Sequence, residues 1–122
     1  ALPAKRRHYI LDHLTALRAH EETWAIIAPR ADAETELPVT YADGETLRTG
    51  RVDRLILTPD QVRIYDYKTF PVRAKELASL AAEYHEGQLR HYAAALARIY
   101  PDRKTRTFLI FTALPRVVET GV

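Results

Sequence analysis

The chain contains no cysteine among its 122 residues. Disulfides, iron–sulfur clusters and thiolate zinc sites are therefore excluded, and any metal must be held by oxygen or histidine nitrogen, a donor set that favours a hard cation such as magnesium. Also lacking is any apolar run near the ~20 residues that a bilayer-spanning helix requires. The opening Ala1-Leu2-Pro3-Ala4-Lys5-Arg6-Arg7 has no apolar stretch of the signal-peptide kind. A soluble protein with no membrane partner and a cytoplasmic home is the expectation. Charge of one sign is not in excess either. A formal net charge of +2 and a pI near 9.0 point only weakly to a polyanionic partner. Internal repeats, low-complexity tracts and interdomain linkers are absent. What remains is ordinary globular composition, 47% hydrophobic and 28% charged, at a length that builds one core.

Residues 1–28 read as helical. Tyr9, Ile10, His13, Leu14, Leu17, Trp24 and Ile27 recur at three- and four-residue spacings, as one long helix or two short ones, until Pro29 stops the pattern. The abrupt start, with neither an initiating methionine nor an N-cap, suggests a piece of a longer polypeptide. Residues 36–68 read as three meandering strands. Pro38 argues that the first is an edge strand or a strand start, and Asp43-Gly44 marks a hairpin. The second strand, Thr46 to Leu57, contains Gly50, which suggests a bulge, and Thr58-Pro59-Asp60-Gln61 turns into the third, Val62 to Lys68. Residues 74–100 return to a helical stripe running from Leu77 through Tyr84, Gln88 and Tyr92 to Ile99, with Gly87 as an irregularity. Strands over 105–119 close the chain, the first around Phe108-Leu109-Ile110-Phe111 and buried on both faces. This order predicts an α/β sandwich with a mixed central sheet.

The chemistry concentrates in two adjacent strands. Side chains alternate along a strand, so Ile64, Asp66 and Lys68 share one face while Tyr65 and Tyr67 share the other. Asp53 in Gly50-Arg51-Val52-Asp53-Arg54-Leu55 sits on the neighbouring strand, where hairpin pairing brings it beside Asp66. Two carboxylates suit Mg²⁺, which takes one or two protein carboxylates and accepts substrate phosphate oxygens, and Lys68 can orient a water or neutralise developing charge. The combination reads as phosphodiester hydrolysis. A plain Asp66–Lys68 ion pair is the competing explanation. Arg48, Arg51 and Arg54 lie close to this acidic site, and Arg103, Lys104 and Arg106 form a second basic cluster. The expectation is that they flank a phosphate-binding groove, with Arg51 and Arg54 on the substrate; the alternative is that they are solvated loop and strand-edge charges.

Taken together, Gly50-Arg51-Val52-Asp53-Arg54-Leu55, then Ile64-Tyr65-Asp66-Tyr67-Lys68-Thr69, then Tyr84…Gln88…Tyr92, resemble the RecB-type branch of the PD-(D/E)XK nucleases. The chain looks most like the nuclease domain at the C-terminus of AddA-type subunits of bacterial helicase–nucleases. The resemblance runs from Glu36-Leu37-Pro38-Val39 to Pro115-Arg116 and implies a restriction-endonuclease-like core in a single domain, helix–three-strand meander–helix–strand. It makes Asp53 and Asp66 metal ligands with the Tyr67 carbonyl as a further one, Lys68 the catalytic lysine, and Gln88 and Tyr92, with Tyr84, residues suited to contacting DNA or ordering the site. The tyrosines read equally as core residues of an amphipathic helix. The implied cofactor is Mg²⁺, with Mn²⁺ as a substitute. The implied activity is a deoxyribonuclease of exonuclease type acting in double-strand-break processing and recombinational repair. Its implied partners are DNA, a helicase domain of the same polypeptide and a second, AddB-like subunit.

Two positions depart from the pattern. Such domains carry a histidine ligand on an upstream helix, and no Gly-x-x-x-His precedes Asp53; His8, His13 and His20 read as ordinary helix histidines, and the expectation is that the metal histidine lies upstream of Ala1. Phe70 stands where asparagine is common. The alternatives are a catalytically impaired DNA-binding or scaffolding domain of the same fold, and a small protein-interaction domain with solvated charges.

Overall fold

The computed structural model describes residues 14–121. Two short helices come first, α1 (Leu14–Ala19) and α2 (Glu21–Ile27). The break at His20 has extended backbone, and the buried Thr23 hydroxyl spans it by donating to the Leu17 and His20 carbonyls. The helical reading of residues 4–13, with Tyr9, Ile10, His8 and His13, lies outside the described residues.

The sheet follows: β1 (Ala33–Asp43), β2 (Thr46–Leu57), β3 (Gln61–Lys68), β4 (Lys104–Phe111) and β5 (Arg116–Thr120), in spatial order β1-β2-β3-β4-β5. Asp43 pairs with Thr46 across a two-residue turn in which Gly44 adopts a left-handed φ of 63°, which glycine accepts without strain. β1 lies at one edge, the position that Pro38 tolerates. β3 and β4 are parallel while the other neighbours are antiparallel, so the sheet is mixed as expected. The parallel pair needs a long crossover. It is supplied by a 3₁₀ turn (Ala74–Glu76), α3 (Leu77–Tyr84), a wide π-type turn (His85–Leu89) and α4 (Arg90–Ile99). Gly87 is the break inside that turn, with ψ of −119°.

Helices cover both sheet faces. On one, Val39, Val52, Leu55, Ile64, Leu109 and Phe111 pack with Leu89, Tyr92 and Leu96 of the crossover. On the other, Ile56, Tyr65, Phe108 and Ile110 pack with Ile26 of α2. Ile99 departs from the expected stripe: it is 63% exposed, because the buried face of α4 is set by Tyr92 and Leu96. Gly50 makes no bulge. It pairs in register with Val39, and a Cβ there would overlap the Tyr92 hydroxyl, so glycine is required by the close approach of α4.

Candidate active site

The site forms where two ladders are interrupted at one level. Pairing of β2 with β3 ends at Arg54↔Tyr65, one step short of setting Asp53 opposite Asp66. Pairing of β1 with β2 skips the Glu36–Asp53 step, stopping at Thr35↔Arg54 and resuming at Leu37↔Val52. Glu36 has φ of 53°, uncommon for a residue with a side chain, and such conformations cluster at functional sites. Side-chain alternation changes phase here, since Val52 and Leu55 both enter the core beneath α4. The strands therefore part around the two aspartates.

Asp53 is buried, and its Oδ2 accepts a hydrogen bond of 2.8 Å from the Tyr67 backbone N–H. Within an antiparallel strand a residue's N–H and C=O project to the same side. The Tyr67 carbonyl thus also projects towards Asp53. Lys68 Nζ lies 2.8 Å from Asp66 Oδ2, with both side chains about three-quarters buried or more. The ion pair foreseen as the competing explanation is thus formed, inside the same cluster of carboxylates. The other face of the ammonium meets an aromatic ring, with Nζ 3.8 Å from the Tyr84 centroid. Tyr92 completes the surround. Its hydroxyl accepts from the Arg51 backbone N–H at 3.1 Å and feels the charges of Asp66 and Asp53. Burial pushes its phenol above the ordinary tyrosine range, the Arg51 N–H pulls it partly back, and Tyr41 and the two aspartate charges add to the rise. Tyr92 therefore stays protonated at neutral pH.

Asp66, Lys68, Tyr84, Gln88 and Tyr92, together with Glu83, line a concavity of about 350 Å³. Nothing in the sequence signalled Glu83, since a glutamate near a helix end is commonplace. Gln88 sits exposed at the rim rather than within an apolar stripe, because the wide turn rotates it outward. Arg51 is exposed beside the site with its guanidinium 4.0 Å from Glu36. A larger groove, about 620 Å³, runs between β1 and α4 and is lined mainly by apolar side chains.

Other expected members are elsewhere. Arg54 is buried on the far side of β2, where it donates to the Ile26 and Ala28 carbonyls at 3.0 and 2.6 Å and to Thr35 Oγ1 at 2.8 Å. Neighbouring strand positions face opposite sides, so with Asp53 turned into the site Arg54 lies on the other face, against the orphan carbonyls at the end of α2. Arg48 pairs with Asp43 near the hairpin tip. Arg103, Lys104 and Arg106 do not flank the groove: Lys104 pairs with Gln61 and Asp66 with Leu109, which separates the two levels by roughly 17 Å at the strand rise. Arg106 forms a two-pronged pair with Glu119 there. Phe70 packs at 6.4 Å on both Tyr84 and Phe111.

The donor set suits a hard cation. Two carboxylates and a backbone carbonyl are all oxygen, matching Mg²⁺. Among the described residues no three His, Asp or Glu side chains gather as a metal group. His20 lies at the α1–α2 break against Thr23, His85 bonds Thr120, and His91 stacks on Tyr41.

Known proteins share this chain's sequence pattern. The family model described as the PD-(D/E)XK nuclease superfamily matches residues 2–121. The chain is 39% identical over 82 residues, 67% of its length, to the AddA-type ATP-dependent helicase/nuclease subunit of Lactiplantibacillus plantarum. It is 34% identical over 88 residues, 69% of its length, to the protein of the same name from Oenococcus oeni. The matched stretches span 6% and 7% of those relatives.

Proposed function

The chain belongs to the PD-(D/E)XK nuclease superfamily, and from that premise we propose that it is a single nuclease domain of a longer helicase–nuclease polypeptide, hydrolysing phosphodiester bonds of DNA with a divalent metal. The observation that carries this reading is the convergence of Asp53, Asp66 and Lys68 where β2 and β3 part, beside a concavity rimmed by Gln88 and Tyr92.

Asp53, Asp66 and the Tyr67 carbonyl would hold the cation, Mg²⁺ or in its place Mn²⁺. When bound, it supplies Lewis acidity to a phosphodiester oxygen and to the attacking water. The Tyr67 N–H fixes the Asp53 carboxylate, so this ligand is oriented before any cation arrives. Lys68 has three N–H donors; with Asp66 taking one and the Tyr84 ring covering another side, the remaining donor is available to the charge that develops on the scissile phosphate. Gln88 and the exposed Arg51 contact the DNA backbone. The relatives' name supports a helicase in the same polypeptide and, because it denotes one member of an assembly, an AddB-like second member. A motor that feeds strands to the site supports the reading of exonuclease action on DNA ends in recombinational repair.

The test is cleavage of end-labelled linear DNA by the polypeptide that carries this domain. Asp66→Ala and Lys68→Ala should each abolish cleavage and leave ATP-dependent unwinding intact; cleavage by either variant at the parental rate refutes the assignment. The catalytically impaired DNA-binding reading draws support from the donor set, since among the described residues no three His, Asp or Glu side chains gather as a metal group. It predicts DNA binding without cleavage by the parent polypeptide.

A further inference from the structure

Lys68 is held from two sides by groups of different kind. Asp66 Oδ2 stands 2.8 Å from Nζ, and the face of the Tyr84 ring stands 3.8 Å from it at the centroid. The ring is itself braced. Phe70 packs against it at 6.4 Å, and Phe70 meets the fully buried Phe111 edge-on at 6.4 Å, so Tyr84 is tied to the core beneath the sheet. Tyr84 is also the last residue of α3, immediately before the wide turn that lets the chain continue into α4 and Tyr92.

The two holds respond differently to a cation. A carboxylate that engages a divalent ion shares its charge with that ion, and its attraction for a neighbouring ammonium falls accordingly. The aromatic face carries a quadrupole, not a ligand atom for a hard cation, so its attraction for the ammonium persists. A lysine has a flexible four-carbon stem, and with Asp66 diverted the ring is, among the described residues, the contact that keeps its head in place.

We propose that Tyr84 is a positioning residue whose ring face holds the Lys68 ammonium towards the scissile phosphate while Asp66 is engaged by the metal. This rests on the nuclease reading of Lys68. It takes Tyr84 out of direct DNA contact, since the face that would stack on a base is covered by Lys68.

The experiment pairs a spectroscopic readout with kinetics. The ε-methylene protons of Lys68 should resonate upfield in the parent chain and in Tyr84→Phe, which keeps the ring, and at the free-lysine position in Tyr84→Leu, with and without added Mg²⁺. Cleavage should stay within about twofold for Tyr84→Phe and fall roughly tenfold in kcat, with KM little changed, for Tyr84→Leu. Fluorinated phenylalanines at position 84, which keep the shape while draining the ring's negative face, should lower kcat stepwise and so decide the matter if the leucine variant fails to fold. A Tyr84→Phe loss equal to that of leucine overturns the proposal in favour of the hydroxyl. An unchanged Lys68 signal in Tyr84→Leu overturns it as well. If the signal moves as expected but Lys68→Ala still cleaves DNA, the contact stands and the nuclease reading of Lys68 falls.

Discussion

Replacing Gly50 by alanine would put a methyl group into space already filled by the Tyr92 phenol. The ring cannot swing aside cheaply. Tyr92 is 4% exposed, packs edge-on against Tyr41 at 5.7 Å between centroids, and bonds the Arg51 N–H through its hydroxyl. Overpacking of this kind costs about 1–3 kcal/mol. If the strand or ring shifts enough to break the Arg51 bond, about 1 kcal/mol more is lost. A total of about 2–4 kcal/mol corresponds, for a chain of this size, to a fall in Tm of roughly 8–16 °C. Urea unfolding of the parent, Gly50→Ala, Tyr92→Phe and the double variant measures the clash directly. Removing the phenol oxygen takes away the nearest overlapping atom, so Gly50→Ala should cost at least about 1 kcal/mol less in the Tyr92→Phe background. Additivity to within about 0.5 kcal/mol would mean that the two groups do not meet, and the close approach of α4 to β2 would be refuted.

Other outcomes follow from the same contacts. Arg54→Ala should destabilise the fold by about 2–4 kcal/mol in urea, because it strips charged donors from the end of α2, yet leave the cleavage rate unchanged; a stable variant with impaired cleavage would return Arg54 to substrate binding. Calorimetric titration with Mn²⁺ should give a binding isotherm for the parent chain and none for Asp53→Asn, the carboxylate that Tyr67 orients; equal isotherms would remove Asp53 from the ligand set. The Arg106 hydrogen bond holds the Glu119 carboxyl below its ordinary value of 4.5. Its stabilisation is therefore present above that ordinary value and is lost as the pH falls through the lower folded one. Glu119→Gln should lower stability by about 1 kcal/mol or less at neutral pH and converge with the parent in acid; a difference that persists in acid would deny the linkage.

How far the sequence disclosed this fold can be judged residue by residue. The strand and turn pattern from Pro38 to Lys68 was legible because apolar alternation, Asp43-Gly44 and Pro59 are local signals, and the structure has the expected meander. The juxtaposition of Asp53, Asp66 and Lys68 was legible for the same reason: hairpin register is a short-range property. Arg54 was misplaced because nearness in sequence to Asp53 was taken for nearness in space: neighbours on a strand face opposite ways, and Arg54 lies against Ile26, Ala28 and Thr35 instead. Gly50 looked like a bulge because a close approach depends on a helix that begins some forty residues later. The second basic cluster was adjacent to the site on no local ground, and the parallel β3–β4 register sends it to the other end of the sheet.

That parallel register also has a temporal meaning. β3 meets β2 across a tight turn, but its other neighbour, β4, arrives only after the whole helical crossover has been synthesised, with Lys68 beside Phe111. Contacts so distant in sequence form late, since the intervening loop must first be closed. On a ribosome that releases the N-terminal part first, the strand bearing Asp66 and Lys68 stays half-paired, and Tyr84 unbraced by Phe111, until β4 emerges. A domain built this way brings Asp66 and Lys68 into their final setting only once β4 has paired with β3, so chains cut short before β4 are born without that setting.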